Sequence, residues 1–222
     1  MKSILKYATL ALLIFACACT PQKQNGSIST TETAQMEPTS TPTVDEAAIN
    51  LAQLPESPAG FEWKYVPEIK TALLMPDDWY FKQEPGNESY PGVAVYITPQ
   101  NMDATGGFTT GQAIFMLANA DDLQSLSTDI LEGFAKAETT TKILDAWDYT
   151  YGDHVQHNLM IQSSISSEDG SNKEMTIQYS TIIENNAVYL TIFQSLTSDW
   201  EKDVKIYKTM MDQMAIFSVT GK

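Results

Sequence analysis

Two histidines, His154 and His157, stand behind Asp153 and are the only imidazoles in the chain. Imidazole nitrogen and carboxylate oxygen both ligate zinc, so Asp153-His154-x-x-His157 is the one place with a starting set of transition-metal donors. The spacing works against joint ligation. On a strand, positions 154 and 157 face opposite sides, and only a turn between them brings both to one ion. Gly152-Asp153 puts a turn next to the pair, which makes an exposed hairpin tip the competing account. The second candidate is Gly106-Gly107-Phe108-Thr109-Thr110-Gly111. Its backbone N–H groups suit an anion cradle, with Phe108, Thr109, Thr110 and Gly111 as the residues holding a ligand. The loop lacks the Lys-Ser/Thr of a phosphate loop and runs into an apolar strand, so placing that strand is its structural alternative. Nucleophilic catalysis has no signature: no serine lies in a Gly-x-Ser-x-Gly setting, and no cysteine follows position 19. The acids Asp145, Asp148 and Asp153 lack the glycine and glutamate spacing of a calcium loop and read as solvated strand faces. The chain therefore reads as a non-enzyme without a cofactor.

The two cysteines carry a different chemistry. Lys2 and Lys6 form a short basic start, residues 7–16 are uncharged and mainly apolar, and Cys17 and Cys19 follow among small residues. This is the layout of a secretory signal peptide, too short to anchor stably across a bilayer. It resembles the lipobox of bacterial lipoproteins, in which a cysteine after a small residue is diacylated and becomes the new N-terminus. Cys17, with Ile14 at the third position before it and Ala16 directly before it, is the closer match; Cys19 is the alternative. The resemblance implies an N-terminal lipid anchor in the bacterial cell envelope, with the protein facing the periplasm or the exterior. One acyl chain gives reversible anchoring and two hold firmly.

Composition narrows the partners. The formal net charge is −15 and there is no arginine. Such a surface cannot supply the clustered cations that displace counterions from nucleic acid, nor the basic patch that hugs anionic headgroups. After the signal no apolar run is long enough for a second membrane segment. With both cysteines near the N-terminus, the domain must hold itself by core burial alone. The expected divisions are a signal peptide at 1–16, a disordered Ser/Thr/Pro-rich tether at 17–55 and a globular domain at 56–222. The tether has little apolar content to offset ordering, and a flexible chain of this length reaches about 30 Å.

The elements that must position these residues follow from periodicity and turn chemistry. FEWKYVPEI, TALLMP, WYFKQEP, GVAVYITP and QAIFMLAN read as strands, with Pro76-Asp77-Asp78-Trp79 as a turn and NMDATGGFTTG as a loop. Leu123, Leu126, Ile130, Leu131 and Phe134 recur at helical spacing after Asp121-Asp122, and Lys136 suits the helix C-terminus. ILDAWDYTYG, HNLMIQSSIS, KEMTIQYSTII and NNAVYLTIFQSL read as four more strands, with Asn185-Asn186 a hairpin signal. Ser198 and Glu201 offer a capping box to a last helix whose Trp200, Val204, Tyr207, Met211 and Met214 form one face. Trp63, Trp79, Trp147 and Trp200 read as core or turn-packing residues, with a sugar-stacking platform the functional alternative for one of them. The order predicts an α+β layered sandwich around a central, largely antiparallel sheet.

The order of these pieces resembles PsbP-like proteins. The likeness rests on the PDDW turn opening a strand, the GGFTTG loop before an apolar strand, and the mid-chain helix. It continues through AVYLTIFQSL into SDWEKDVKIYKTMMDQMAIFSV, and covers about residues 60 to 219. The resemblance implies the PsbP and Mog1 type of fold, an antiparallel sheet with helices on both faces, shared with DcrB-related bacterial lipoproteins. The basic docking surface of plant PsbP has no counterpart in this acidic chain. The expectation is a lipid-anchored envelope protein with a membrane attachment and a protein partner, acting as an accessory factor without catalysis. The alternatives are a small-molecule or lipid-binding module with an apolar pocket near Phe108, Phe115 and the C-terminal helix, and a metal-dependent hydrolase at His154 and His157.

Overall fold

A computed structural model describes residues 54–85, 93–105, 107–118, 122–136, 141–151, 154–166, 172–212 and 214–216. Cys17, Cys19, Asp153, the predicted signal peptide and nearly all of the predicted tether lie outside the described residues.

Seven antiparallel strands form the main sheet in the order β3-β4-β5-β9-β8-β7-β6. They are β3 (Tyr80–Pro85), β4 (Val93–Thr98), β5 (Gly111–Ala118), β6 (Lys142–Tyr151), β7 (His154–Ser166), β8 (Asn172–Glu184) and β9 (Ala187–Leu196). A smaller antiparallel sheet joins β1 (Phe61–Val66), β2 (Thr71–Pro76) and β10 (Ala215–Ile216) in the order β1-β2-β10. The helices among the described residues are α1 (Met102–Thr105), α2 (Leu123–Lys136) and α3 (Trp200–Asp212). α2 packs on β7, β8 and β9, while α3 packs on β2 and β9.

Strand alternation explains the layers. On β4, Ala94 and Tyr96 join the core under α2, whereas Val95 and Ile97 join the core against the small sheet. On β9, Val188, Leu190 and Ile192 face α2, and Ala187 and Tyr189 face the other way. Each central strand thus buries both faces, which is why it reads as a nearly continuous apolar run. Phe134 of α2 stacks on Tyr179 of β8 at 4.0 Å between ring centroids. Phe193 of β9 stacks on Tyr207 of α3 at 4.5 Å. The Tyr189 hydroxyl, deep in the second core, donates to the Ile69 carbonyl at 2.9 Å and ties the small sheet's corner to β9.

The turns follow their chemistry. Asn185 and Asn186 sit at φ 52° and 57°, the left-handed pair of a two-residue hairpin that asparagine tolerates. Asp122 precedes α2, its carboxylate accepting the Ser125 N–H at 3.0 Å and the Ser125 hydroxyl at 2.6 Å. Those bonds hold its carboxyl below the ordinary range. Three details differ from the sequence reading. Residues 102–105 of the predicted loop make a helical turn, opened by Asn101 Oδ1 accepting the Asp103 N–H at 3.0 Å. α3 starts one residue later than Ser198 implies, because the Asp199 carbonyl accepts the first helical N–H, from Asp203. Its buried face is Asp203, Tyr207 and Met210, while Val204 and Met211 are half-buried.

Candidate functional site

The outer strand β6 is exposed along its described length, whereas the opposite edge, β3, alternates between half-buried and exposed residues. From Lys142 to Thr150 every side chain is exposed, including Ile143, Leu144, Trp147 and Tyr149. It is an edge strand, so among the described residues its outward backbone N–H and C=O groups have no neighbouring strand. A register shift between Ile143 and Asp145 puts Leu144 into a bulge. From there Asp145 pairs with Met160, Ala146 with Leu159, Trp147 with Asn158, Asp148 with His157 and Tyr149 with Gln156. Trp147 is therefore a surface residue, not the core residue its type suggests.

Between β6 and α2 lies an open groove of about 500 Å³, within the ordinary range for small-ligand sites. Leu131 and Ala135 of α2, Ile143 and Ala146 of β6 and Leu159 of β7 line it with apolar surface. Leu131 and Ala135 are four residues apart and half-buried, beside the fully buried stripe Leu126, Ile130 and Phe134. They form the flank of the helix that the sheet stops short of covering.

His157 and Asp148 also line the groove. Their pairing places them directly opposite one another, with His157 Nδ1 2.8 Å from Asp148 Oδ1. On its other side His157 Nε2 lies 3.2 Å from the Gln124 amide nitrogen. An amide nitrogen only donates, so Nε2 is the acceptor and Nδ1–H donates to Asp148. Both ring nitrogens are engaged, and the ring is fixed as a polar post in an apolar groove.

The residues singled out from the sequence are dispersed. His154 and His157 lie on opposite faces of β7; His154 Nδ1 pairs with Glu184 at 3.0 Å, far along the strand from the Asp148 pair. Among the described residues no three His, Cys, Asp or Glu side chains gather as a metal site. Phe108 packs edge-on against Tyr96 at 6.1 Å, and its carbonyl accepts the Gln194 amide at 2.7 Å. Thr110 reaches Asp203 of α3 at 3.5 Å, and Asp203, nearly buried, accepts the Ser195 hydroxyl. Gly111 has φ 148°, and a Cβ there would meet the Ile97 carbonyl at 2.6 Å. Phe108, Thr110 and Gly111 thus each have a structural duty, and the groove lies elsewhere, away from Phe115, which is buried in the core under α2. Sequence reasoning passed over Gln124, Leu131, Ala135, Ile143 and Ala146. The half-apolar flank of α2 is a signal for Leu131 and Ala135 only; Ile143 and Ala146 of β6 are brought beside them by tertiary packing.

With the geometry in place, comparison with solved structures identifies the fold. The chain is similar to the cyanobacterial PsbP protein CyanoP from Synechocystis sp. PCC 6803, with a TM-score of 0.51 and 11% identity over 72% of this chain and 95% of that one. The domain has a PsbP-like fold. Weaker likenesses reach Saccharomyces cerevisiae Mog1p, a Ran-binding protein, at TM-score 0.45 and 9% identity, covering 72% of this chain and 97% of that one. They also reach Mycobacterium tuberculosis LpqN, involved in cell envelope biogenesis, at 0.39 and 17%, covering 65% and 82%. No protein-family model and no curated protein sequence matches this chain.

Proposed function

We propose that this protein is a lipid-anchored bacterial envelope protein whose PsbP-like domain binds a protein partner as a non-catalytic accessory factor. The observation that carries the reading is the outer edge of the sheet. β6 leaves Ile143 and Leu144 52% and 38% exposed beside an apolar groove, on a sheet whose centre is buried on both sides. Exposed apolar surface with an open strand edge is what a partner covers, by strand addition, by filling the groove, or both. His157, held between Asp148 and Gln124, supplies a fixed polar contact at the side of this surface. Among the described residues no helix is long and apolar enough to cross a membrane, and attachment is assigned to acylated Cys17.

Two measurements test this. Intact mass of the mature protein should show a diacylated N-terminal Cys17; an unmodified N-terminus removes the anchor. Affinity capture from detergent-solubilised envelopes should recover one defined protein with the wild type and lose it with Leu131→Glu or Ile143→Glu. Equal recovery by all three contradicts the assignment of the surface.

A second reading has its own observation. The groove combines an apolar lining with the fixed His157–Asp148 pair near one end, which suits an amphiphilic small molecule with a polar head. Native mass spectrometry of the protein released gently from membranes should then show a retained ligand that Ala135→Trp displaces.

A further inference from the structure

The reverse face of β6 and β7, turned away from α2, has a different chemistry from the groove. Trp147 and Tyr149 share that face, two residues apart and therefore about 7 Å from each other along the strand. They are 36% and 58% exposed. Opposite them on β7 stand Asn158 and Gln156, and β8 continues the row with Ser180 beside Asn158. The polar groups are fixed in advance. Asn158 Oδ1 accepts from the Ser180 hydroxyl and from the Gln156 amide, both at 2.7 Å, and Asn158 Nδ2 donates to the Trp147 carbonyl at 3.3 Å. The Gln156 amide spends one N–H on Asn158, and its geometry is set while its other donor and its carbonyl stay available to a ligand.

Charge decides what fits. In a chain of net charge −15, the four residues Trp147, Tyr149, Gln156 and Asn158 on this face are uncharged, while Asp148 and His157, which alternate with them, pair on the α2 side. Charged groups stand at its ends, Asp145 at one and the His154–Glu184 pair at the other. A cationic peptide would seek the acidic surface elsewhere, and none of Trp147, Tyr149, Gln156 and Asn158 offers an anion a positive charge. Two aromatic faces in line, flanked by the Gln156 amide that buried Asn158 holds in place, complement a ligand with apolar C–H faces and hydroxyl edges. We infer that the reverse face of β6–β7 is a binding platform for a linear, uncharged oligosaccharide, with Trp147 and Tyr149 stacking on successive rings and Gln156 hydrogen-bonding their hydroxyls. This goes beyond the protein-binding role assigned to the α2 side of β6; Trp147 and Asn158 also border that groove, so Tyr149 and Gln156 are the residues that belong to this face alone.

The test is isothermal titration of the full-length chain, in a detergent without a sugar headgroup, with chitopentaose and with maltopentaose. At least one pentaose should bind saturably. Trp147→Ala and Tyr149→Ala should each weaken that binding about three- to tenfold, at unchanged unfolding midpoints. Tyr80→Ala, an equally exposed aromatic on the opposite sheet edge, should leave it unchanged. Saturation by neither pentaose overturns the inference, as does equal weakening by Tyr80→Ala. If neither pentaose binds while a photo-crosslinker at Tyr149 labels an envelope protein, the face is a protein contact instead. Capture through Ile143 is scored separately and is not affected by either result.

Discussion

β9 and β6 lie in the same sheet, three strands apart, and are built on opposite terms. On β9 every residue from Ala187 to Phe193 is buried, with α2 on one side and the small sheet and α3 on the other. On β6 no described side chain is buried, although Ile143, Leu144, Trp147 and Tyr149 are as apolar or aromatic as anything in β9. Residue type is therefore not what separates them. Position is: α2 packs chiefly on β7, β8 and β9, and β6 lies past β7 at the sheet's edge. The centre holds the fold, and the edge is left with surface that folding does not use.

The largest effect that sharpens this contrast is at the centre. Phe193→Ala removes a side chain with no exposure and its stacking on Tyr207, and should cost about 3–5 kcal/mol in urea unfolding. A loss under 1 kcal/mol would mean that α3 is not tightly seated on β9. Next is Gly111→Ala, at the start of β5. With φ 148° and the Ile97 carbonyl in the way, it should cost about 1–3 kcal/mol, measured by the same denaturation. A neutral result would contradict the structural role given to that glycine.

The third concerns pH. Burial pushes the Tyr207 phenol above its ordinary value, and Tyr189 shifts the same way. The folded state favours the neutral phenol, so this contribution to stability is complete below the unfolded value of about 10 and is lost as pH rises beyond it. Thermal melts from pH 8 to 11 should fall off above pH 10, less steeply in Tyr207→Phe, which keeps the contribution of Tyr189. The smallest effect is at the edge. Trp147→Ala should shift stability by less than about 1 kcal/mol. A cost near that of Phe193→Ala would show that β6 is part of the core after all.

Much of the centre was legible in the sequence because burial on both sides writes long apolar runs, as in AVYLTIF, and because Asn185-Asn186 fits only a tight hairpin. The short helix at Met102–Thr105 was not, since four residues are too few to show a period. Trp147 was misread for a physical reason. Alternating acids and aromatics in DAWDYTY mark a strand, but whether a helix covers it depends on where α2 ends in space. The groove was hidden for the same reason: Leu131 and Ala135 lie on one helix, and Ile143 and Ala146 on a strand that only tertiary packing brings beside it. The loop at Phe108, Thr109, Thr110 and Gly111 stood out because glycine and threonine look like ligand chemistry. The structure gives Phe108, Thr110 and Gly111 bonds and contacts within the fold.

The central claim is that β6 is the contact edge of an envelope accessory protein, and site-specific photo-crosslinking in intact cells tests it most directly. A photoreactive residue at Ile143 should yield one defined covalent adduct with an envelope protein, while the same residue at Tyr80 on the opposite edge yields none. Adding Leu131→Glu should abolish the Ile143 adduct without unfolding the protein. No adduct from Ile143, or the same adducts from both edges, would contradict the account.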